Sequence, residues 1–260
     1  MKANVFVRKI FLNEYVDKGK TVERDRIFFG RQDKEVGKVA TCMVITPDVL
    51  REVVAWGADI IVTHEPTFLT DKEDVQEYPP YAFKRAVLER EDIAVCRWHD
   101  SAHHGDTDYV SAALIKRMNW KGTFDGKLTF IFDDPVTPLQ IAKDIREKMD
   151  IKQPRIVGRT DGEVKKITLQ LGMRGSAPYL DMLKNDVDLA LCGENCEWSD
   201  CEPIRDMAQI GMQKSIIILG HAASERDVMY DLALYINSYF KVDGIKARYF
   251  DCGELYSYID

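Results

Sequence analysis

The stretch KVATCMVITPDVLREVVAWGADIIVTH, residues 38–64, decides the fold class. Residues 38–45 are largely apolar and β-branched and read as a strand. Thr46-Pro47-Asp48 then writes a helix start. The threonine hydroxyl caps the first open N–H groups, and the proline sits where no N–H is missed. The helix runs to Trp56, and Gly57 supplies the left-handed residue that stops it. Ile60-Ile61-Val62-Thr63 follows at once as a second strand. Strand, short helix and strand joined by tight loops form a parallel crossover unit.

The alternation continues outward from this unit. Residues 79–90 read as helix, Ile93–Trp98 as strand and 108–118 as helix. At GTFDG (122–126) the pattern changes. From there the order is strand 127–132, helix 137–149, strand 155–159, strand 165–172, helix 177–185 and strand 188–192. Thr137-Pro138-Leu139-Gln140 is a capping-box start, and Ser176 is the expected cap of the second helix. This β-α-β-β-α-β order is that of a ferredoxin-like unit. The tail returns to alternation, with helix 201–210 closed by Gly211, strand 215–219 and a long amphipathic helix 224–240. The expected division is a first α/β domain, 1–124 completed by 215–260, and a second, 125–214.

With 260 residues, 45% of them apolar, the chain is long enough to bury a sizeable core. A net charge of -7 leaves no electrostatic footprint for a phosphate backbone, which argues against nucleic acid as partner. The purest apolar run, Ile216-Ile217-Ile218-Leu219, is far short of the ~20 residues of a spanning helix, so no membrane role is expected. The opening MKANVFVRKIFLNEY breaks its apolar residues with charges and lacks a signal-peptide core, so a cytoplasmic location is expected. The six cysteines are then reduced. Cys192, Cys196 and Cys201 cluster without a CxxC pair, which favours buried thiols over a thiolate metal site.

There are five histidines, His64, His99, His103, His104 and His221. Three of them end apolar strands: DIIVTH (59–64), IAVCRWH (93–99) and SIIILGH (215–221). If these strands share one parallel sheet, their ends gather at its carboxyl edge, where α/β folds form ligand crevices. Each segment brings a partner at ligand spacing. Glu65 follows His64, His103 lies four residues after His99, and Glu225 lies four after His221, one helical turn on. Imidazole and carboxylate suit Zn, Mn, Fe, Co or Ni, and two ions about 3.5–4 Å apart can share a water. A single strand-end histidine is more often a hydrogen-bonded core or surface residue, and His104 keeps that reading. Three independent strand ends that together carry the histidines point instead to two divalent ions per chain.

Four stretches then resemble a known family: DKEVGKVATCMVITPDVLREVVAWGADIIVTHEPTF (33–68), WHDSAH (98–103), LALCGE (189–194) and GHAASE (220–225). The family is that of the NGG-one-interacting-factor-three-like proteins, also labelled dinuclear-metal-centre hexameric proteins or GTP cyclohydrolase I type 2 homologues. Its metal ligands, a histidine pair, an aspartate, a histidine and a glutamate, fall on His64, Glu65, His103, His221 and Glu225. Glu65 stands where the family has its second histidine, and His103 where it has aspartate, so the ligand charge is unchanged. The family's opening DNVGL is altered to Asp25-Arg26-Ile27-Phe28-Phe29-Gly30. The resemblance implies an α/β protomer of two interlinked domains, with mixed sheets and helices packed on them. It also implies a homohexameric toroid.

The expected chemistry is hydrolysis of a small molecule by metal-activated water. His99 is the candidate acid or base if it is not itself a metal ligand, and Glu194, at another strand end, is the second candidate. The plainer readings are an orienting role for His99 and a salt bridge for Glu194. Asp100 is equally a partner for a ligand imidazole and an exposed loop acid. Neither GxxxxGK[ST] nor GxGxxG occurs, so the sequence names no nucleotide. Tyr78, Tyr81 and Trp98 could stack on a substrate ring, but core packing is the stronger expectation. The competing class is a regulatory, scaffolding or metal-handling toroid without turnover.

Overall fold

A computed structural model describes residues 1–11, 23–68, 78–173 and 178–259. They divide into two compact units, 1–106 with 228–260, and 107–227.

In the first unit, the expected crossover is present. Strand β2 (Lys38–Cys42) leads into helix α2 (Pro47–Trp56) and strand β3 (Ile60–Thr63). The Thr46 side chain accepts from the Val49 N–H, and Gly57, at φ 75°, closes the helix. Helix α3 (Pro79–Arg90) and strand β4 (Ala94–Arg97) repeat the unit. The first sheet also takes strands that the sequence pattern did not announce. Strand β1 (Arg26–Phe29) pairs antiparallel with β4, and β11 (Lys246–Tyr249) pairs parallel with β2. The order is β1-β4-β3-β2-β11. Helix α1 (Ala3–Ile10) is a further addition, and it buries Phe6, Val7 and Ile10.

One face of this sheet packs Ala40, Ile61 and Val95 against Val49, Leu50 and Val53 of α2 and Leu88 of α3. Leu50 has no exposed surface. Leu50→Ala is therefore expected to cost about 2–5 kcal/mol, because the packed sheet face cannot collapse into the space left. Denaturant melts would read it, and a loss under 1 kcal/mol (about a third of that range's middle) would show that this face is loosely packed.

The second unit carries helix α5 (Tyr109–Met118), then β5 (Gly122–Phe124), β6 (Thr129–Val136), α6 (Pro138–Met149), β7 (Arg155–Gly158), β8 (Val164–Gln170), α7 (Pro178–Lys184) and β9 (Leu189–Cys192). The capping box of Thr137 and Gln140 is formed. Ser176, the cap expected for α7, lies outside the described residues. A π-helical turn (Glu197–Cys201), helix α8 (Glu202–Gln209) and strand β10 (Ser215–Ile218) follow. The sheet order is β5-β6-β8-β9-β10-β7, with β8, β9 and β10 parallel.

Three features of the second sheet differ from expectation. GTFDG holds a short edge strand, β5, because an antiparallel partner three residues long needs little periodicity to form. The chain order β-α-β-β-α-β holds, but β7 leaves β8 and pairs antiparallel with β10, so the sheet is not laid out as a ferredoxin-like one. Most consequentially, the strand 215–218 joins this second sheet beside β9, not the first sheet. The reason is local: α8 makes a short crossover that returns the chain next to β9. The strands that end at His64, His99 and His221 therefore belong to two sheets. Helix α9 (His221–Tyr239) begins three residues earlier than expected, at the histidine itself. No described helix is long and apolar enough to cross a membrane.

Candidate metal centre

In the first unit the register of the sheet brings two histidine segments together. Thr63 on β3 pairs with Arg97 on β4, so His64 and the Trp98-His99 segment leave adjacent strands at the same level. Helix α4 (Asp100–His104) then turns His103 back towards them. The His64 and His99 rings stack with centroids 4.7 Å apart, and His103 lies 5.2 Å and 4.8 Å from the two. The Nε2 atoms of His64 and His103 are 3.3 Å apart. One nitrogen of each of the three rings lies within 4.8 Å of the others, and His104 is not part of this group.

The ring orientations are held by acceptors. Nδ1 of His64 lies 3.0 Å from the Trp98 carbonyl oxygen. A carbonyl only accepts, so this nitrogen carries the proton and the lone pair of the neutral ring is on Nε2. Nδ1 of His99 lies 2.9 Å from Asp100 Oδ1, with the same consequence. Burial, reinforced by the neighbouring His64 and His103, pushes the His99 pKa down to about 3. Three imidazoles with nitrogen atoms this close suit a divalent cation of the Zn, Fe, Co or Ni class. The bonds at Nδ1 are those that orient metal-ligating histidines.

Asp100 is fully buried, not an exposed loop acid. Burial alone would raise its pKa, but hydrogen bonds from the Arg24 backbone and guanidinium and from His99 outweigh it and hold the carboxyl below its usual range. Glu65 is held by Arg97, whose Nη2 lies 2.9 Å from Oε2 and whose Nε donates to the His64 carbonyl. Its other oxygen, Oε1, is 3.9 Å from His99 Nε2. Arg97 and the Trp98 carbonyl were missed from the sequence. A signal for Arg97 was present, because an arginine inside the apolar strand IAVCRWH needs a reason.

The second unit holds its own donor pair. His221 and Glu225 lie one turn apart at the start of α9, with Nε2 3.3 Å from Oε2. Nδ1 of His221 is 2.9 Å from Oε1 of Glu194, which follows β9, so Glu194 orients the ring. Ser224 ties this helix start to the end of β8. Its Oγ accepts from the Gly172 N–H at 3.0 Å and donates to the His221 carbonyl at 2.7 Å. Gly172, at φ 63°, lies so close to Glu225 that an added Cβ would stand 2.3 Å from Oε1.

The remaining expectations resolve plainly. Trp98 is a core residue at 3% exposure, Tyr81 packs edge-on to Phe68, and Tyr78 is exposed. The six cysteines form no disulfide with one another, and burial raises the Cys42, Cys96, Cys192 and Cys201 thiols, Cys42 to about 12. Among the described residues no candidate metal group contains a cysteine.

The profile of a family described as Duf34/NIF3 (NGG1p interacting factor 3) matches residues 11–251. A relative named GTP cyclohydrolase 1 type 2 homolog, from Clostridium perfringens, is 23% identical over 214 residues, 78% of this chain and 79% of the relative. Among solved structures, Staphylococcus aureus protein SA1388 has a TM-score of 0.81 at 18% identity, covering 100% of this chain and 99% of that one. A Bacillus cereus protein related to NIF3 has a TM-score of 0.74 at 12% identity, covering 98% and 97%.

Proposed function

The chain belongs to the Duf34/NIF3 family, and from that premise we propose that it is a metal-dependent hydrolase of a small molecule, working with two divalent ions per chain. The observation that supports this most is the group of His64, His99 and His103, whose nitrogens converge while carbonyl and carboxylate acceptors hold two of the rings by Nδ1. The proposed ligands are His64, Glu65, His99 and His103 from the first unit and His221 and Glu225 from the second. This is the set that the family resemblance implies, with His99 added.

Bound ions would supply a water of lowered pKa and polarise the group under attack. The chain's own residues do the rest. Asp100 and the Trp98 carbonyl keep Nδ1 of His99 and His64 protonated, so that both rings present Nε2. Arg97 steadies Glu65. Glu194 holds the Nδ1 proton of His221 through Oε1 and offers Oε2 to take up or return a proton during hydrolysis. A homohexameric toroid and a cytoplasmic location belong to the same proposal.

Elemental analysis of protein reconstituted with Zn, Mn, Fe, Co or Ni is expected to find about two ions per chain, the number a shared-water site needs. A panel of general hydrolase substrates then tests turnover by the loaded protein. No bound metal after reconstitution would defeat the proposal. Two ions without turnover across the panel would favour a metal-handling or scaffolding role.

A further inference from the structure

We propose that Asp25 is a positioning residue of the metal centre, holding through three backbone N–H groups the turn that carries His99 and His103. The inference rests on the metal-binding reading above and adds to it a residue outside the ligand set. The first step is the sheet register. Arg26, at the start of β1, pairs with Arg97 near the end of β4, so the antiparallel pairing delivers Asp25 to the mouth of β4, beside Trp98 and His99. There one Asp25 oxygen, Oδ1, accepts from the N–H of His99 at 2.7 Å and of Asp100 at 2.9 Å. The other, Oδ2, accepts from the N–H of Ser101 at 2.8 Å. Asp25 is itself buried, at 8% exposure.

Helix α4 needs this outside help. At five residues it is too short to stand by itself. Its N-cap position is occupied by His99, which makes no side-chain cap. An N-cap residue ordinarily satisfies the first N–H groups with its own side chain. Here the His99 ring is turned to Asp100, and the capping passes to a carboxylate 74 residues earlier in the chain. The neighbour Arg24 adds a second tie, its N–H donating to Asp100 Oδ2 at 3.0 Å and its guanidinium to Oδ1 at 2.9 Å. Asp100 in turn holds Nδ1 of His99. The Arg24-Asp25 pair therefore grips both the backbone of the turn and the acid that orients its first histidine. Shifting that turn moves His99 directly and His103 with it.

The test compares wild-type protein with Asp25→Asn and Asp25→Ala, each stripped of metal and titrated with Co²⁺. Asparagine keeps the size but replaces one accepting oxygen by a donor that faces an N–H. The expected result is Co²⁺ binding weaker by about 10–100-fold, the usual effect of losing a partner that orients a ligand. The visible ligand-field bands of the bound Co²⁺ should also shift. Thr137→Ala, which removes the cap of α6 in the second unit, is the control for lost stability alone. If Asp25→Asn loses stability as Thr137→Ala does but keeps wild-type Co²⁺ affinity and bands, Asp25 is only a helix cap and the proposal is overturned. Should Asp25→Ala fail to fold, Asp25→Asn carries the comparison. Wild-type protein that takes up no Co²⁺ would overturn the metal reading itself, and this inference with it.

Discussion

Replacing His221 and Glu225 together by alanine is expected to remove divalent metal while leaving a folded protein. Both side chains lie on the first turn of α9, and the His221 side chain retains 31% of its exposure, so its loss opens no core cavity. Glu225 is buried, but truncating it also removes the cost of keeping a carboxylate from water. Alanine is also the better helix former. The metal-free variant should therefore stay within about 1–2 kcal/mol of metal-free wild type. Its metal affinity should fall by more than about a hundredfold, the upper figure for losing only an orienting partner. Elemental analysis and thermal melts of the metal-free proteins decide it. Unchanged metal content would remove His221 and Glu225 from the ligand set. A variant unfolded even without metal would show that the pair is structural.

Gly193→Ala is expected to disturb the second unit more than its single methyl suggests. Gly193 stands where the ends of β8, β9 and β10 are joined by backbone hydrogen bonds. Its N–H donates to Gln170, its carbonyl accepts from Gly220, and the next N–H, of Glu194, donates to Gly172. A Cβ there would stand 2.3 Å from the Gly172 carbonyl oxygen and 2.6 Å from its nitrogen, with Ser224 Oγ at 2.7 Å. Backbone cannot swing aside as a long side chain can, so the strand ends must part. Overpacking of this kind costs about 1–3 kcal/mol, occasionally more. It should also loosen the contact between Glu194 and His221, because Glu194 follows Gly193 directly and the same Cβ meets Ser224, whose Oγ holds the His221 carbonyl. Denaturant melts together with Co²⁺ titration would register both effects. Wild-type values in both would mean that the strand ends yield at little cost.

The parts of the fold that were legible in the sequence share one property: their signals are local. Thr46-Pro47-Asp48 and Gly57 bound α2 without reference to any other element, and Thr137 with Gln140 did the same for α6. The histidines were legible because imidazole at the end of an apolar strand is conspicuous in a chain with so few of them. The short edge strand β5 and the late strand β11 were not, since they are strands by virtue of their partners β6 and β2. The role of Glu194 was half legible. Its place after a strand was readable, but its bond to His221, 27 residues later, was not.

From the sequence alone came the α/β class, the extent of most helices and strands and the candidate ligands, carried by side-chain chemistry and short-range spacing, and the family, carried by resemblance in four stretches. Tertiary structure alone decided that β10 lies beside β9 in the second sheet, that Glu194 and Asp100 face imidazoles, and that Asp25 reaches the turn of His99. Strand pairing and register are set by packing between distant segments, and one residue of slip would send every side chain to the other face. A pattern confined to a few neighbouring residues does not encode that choice.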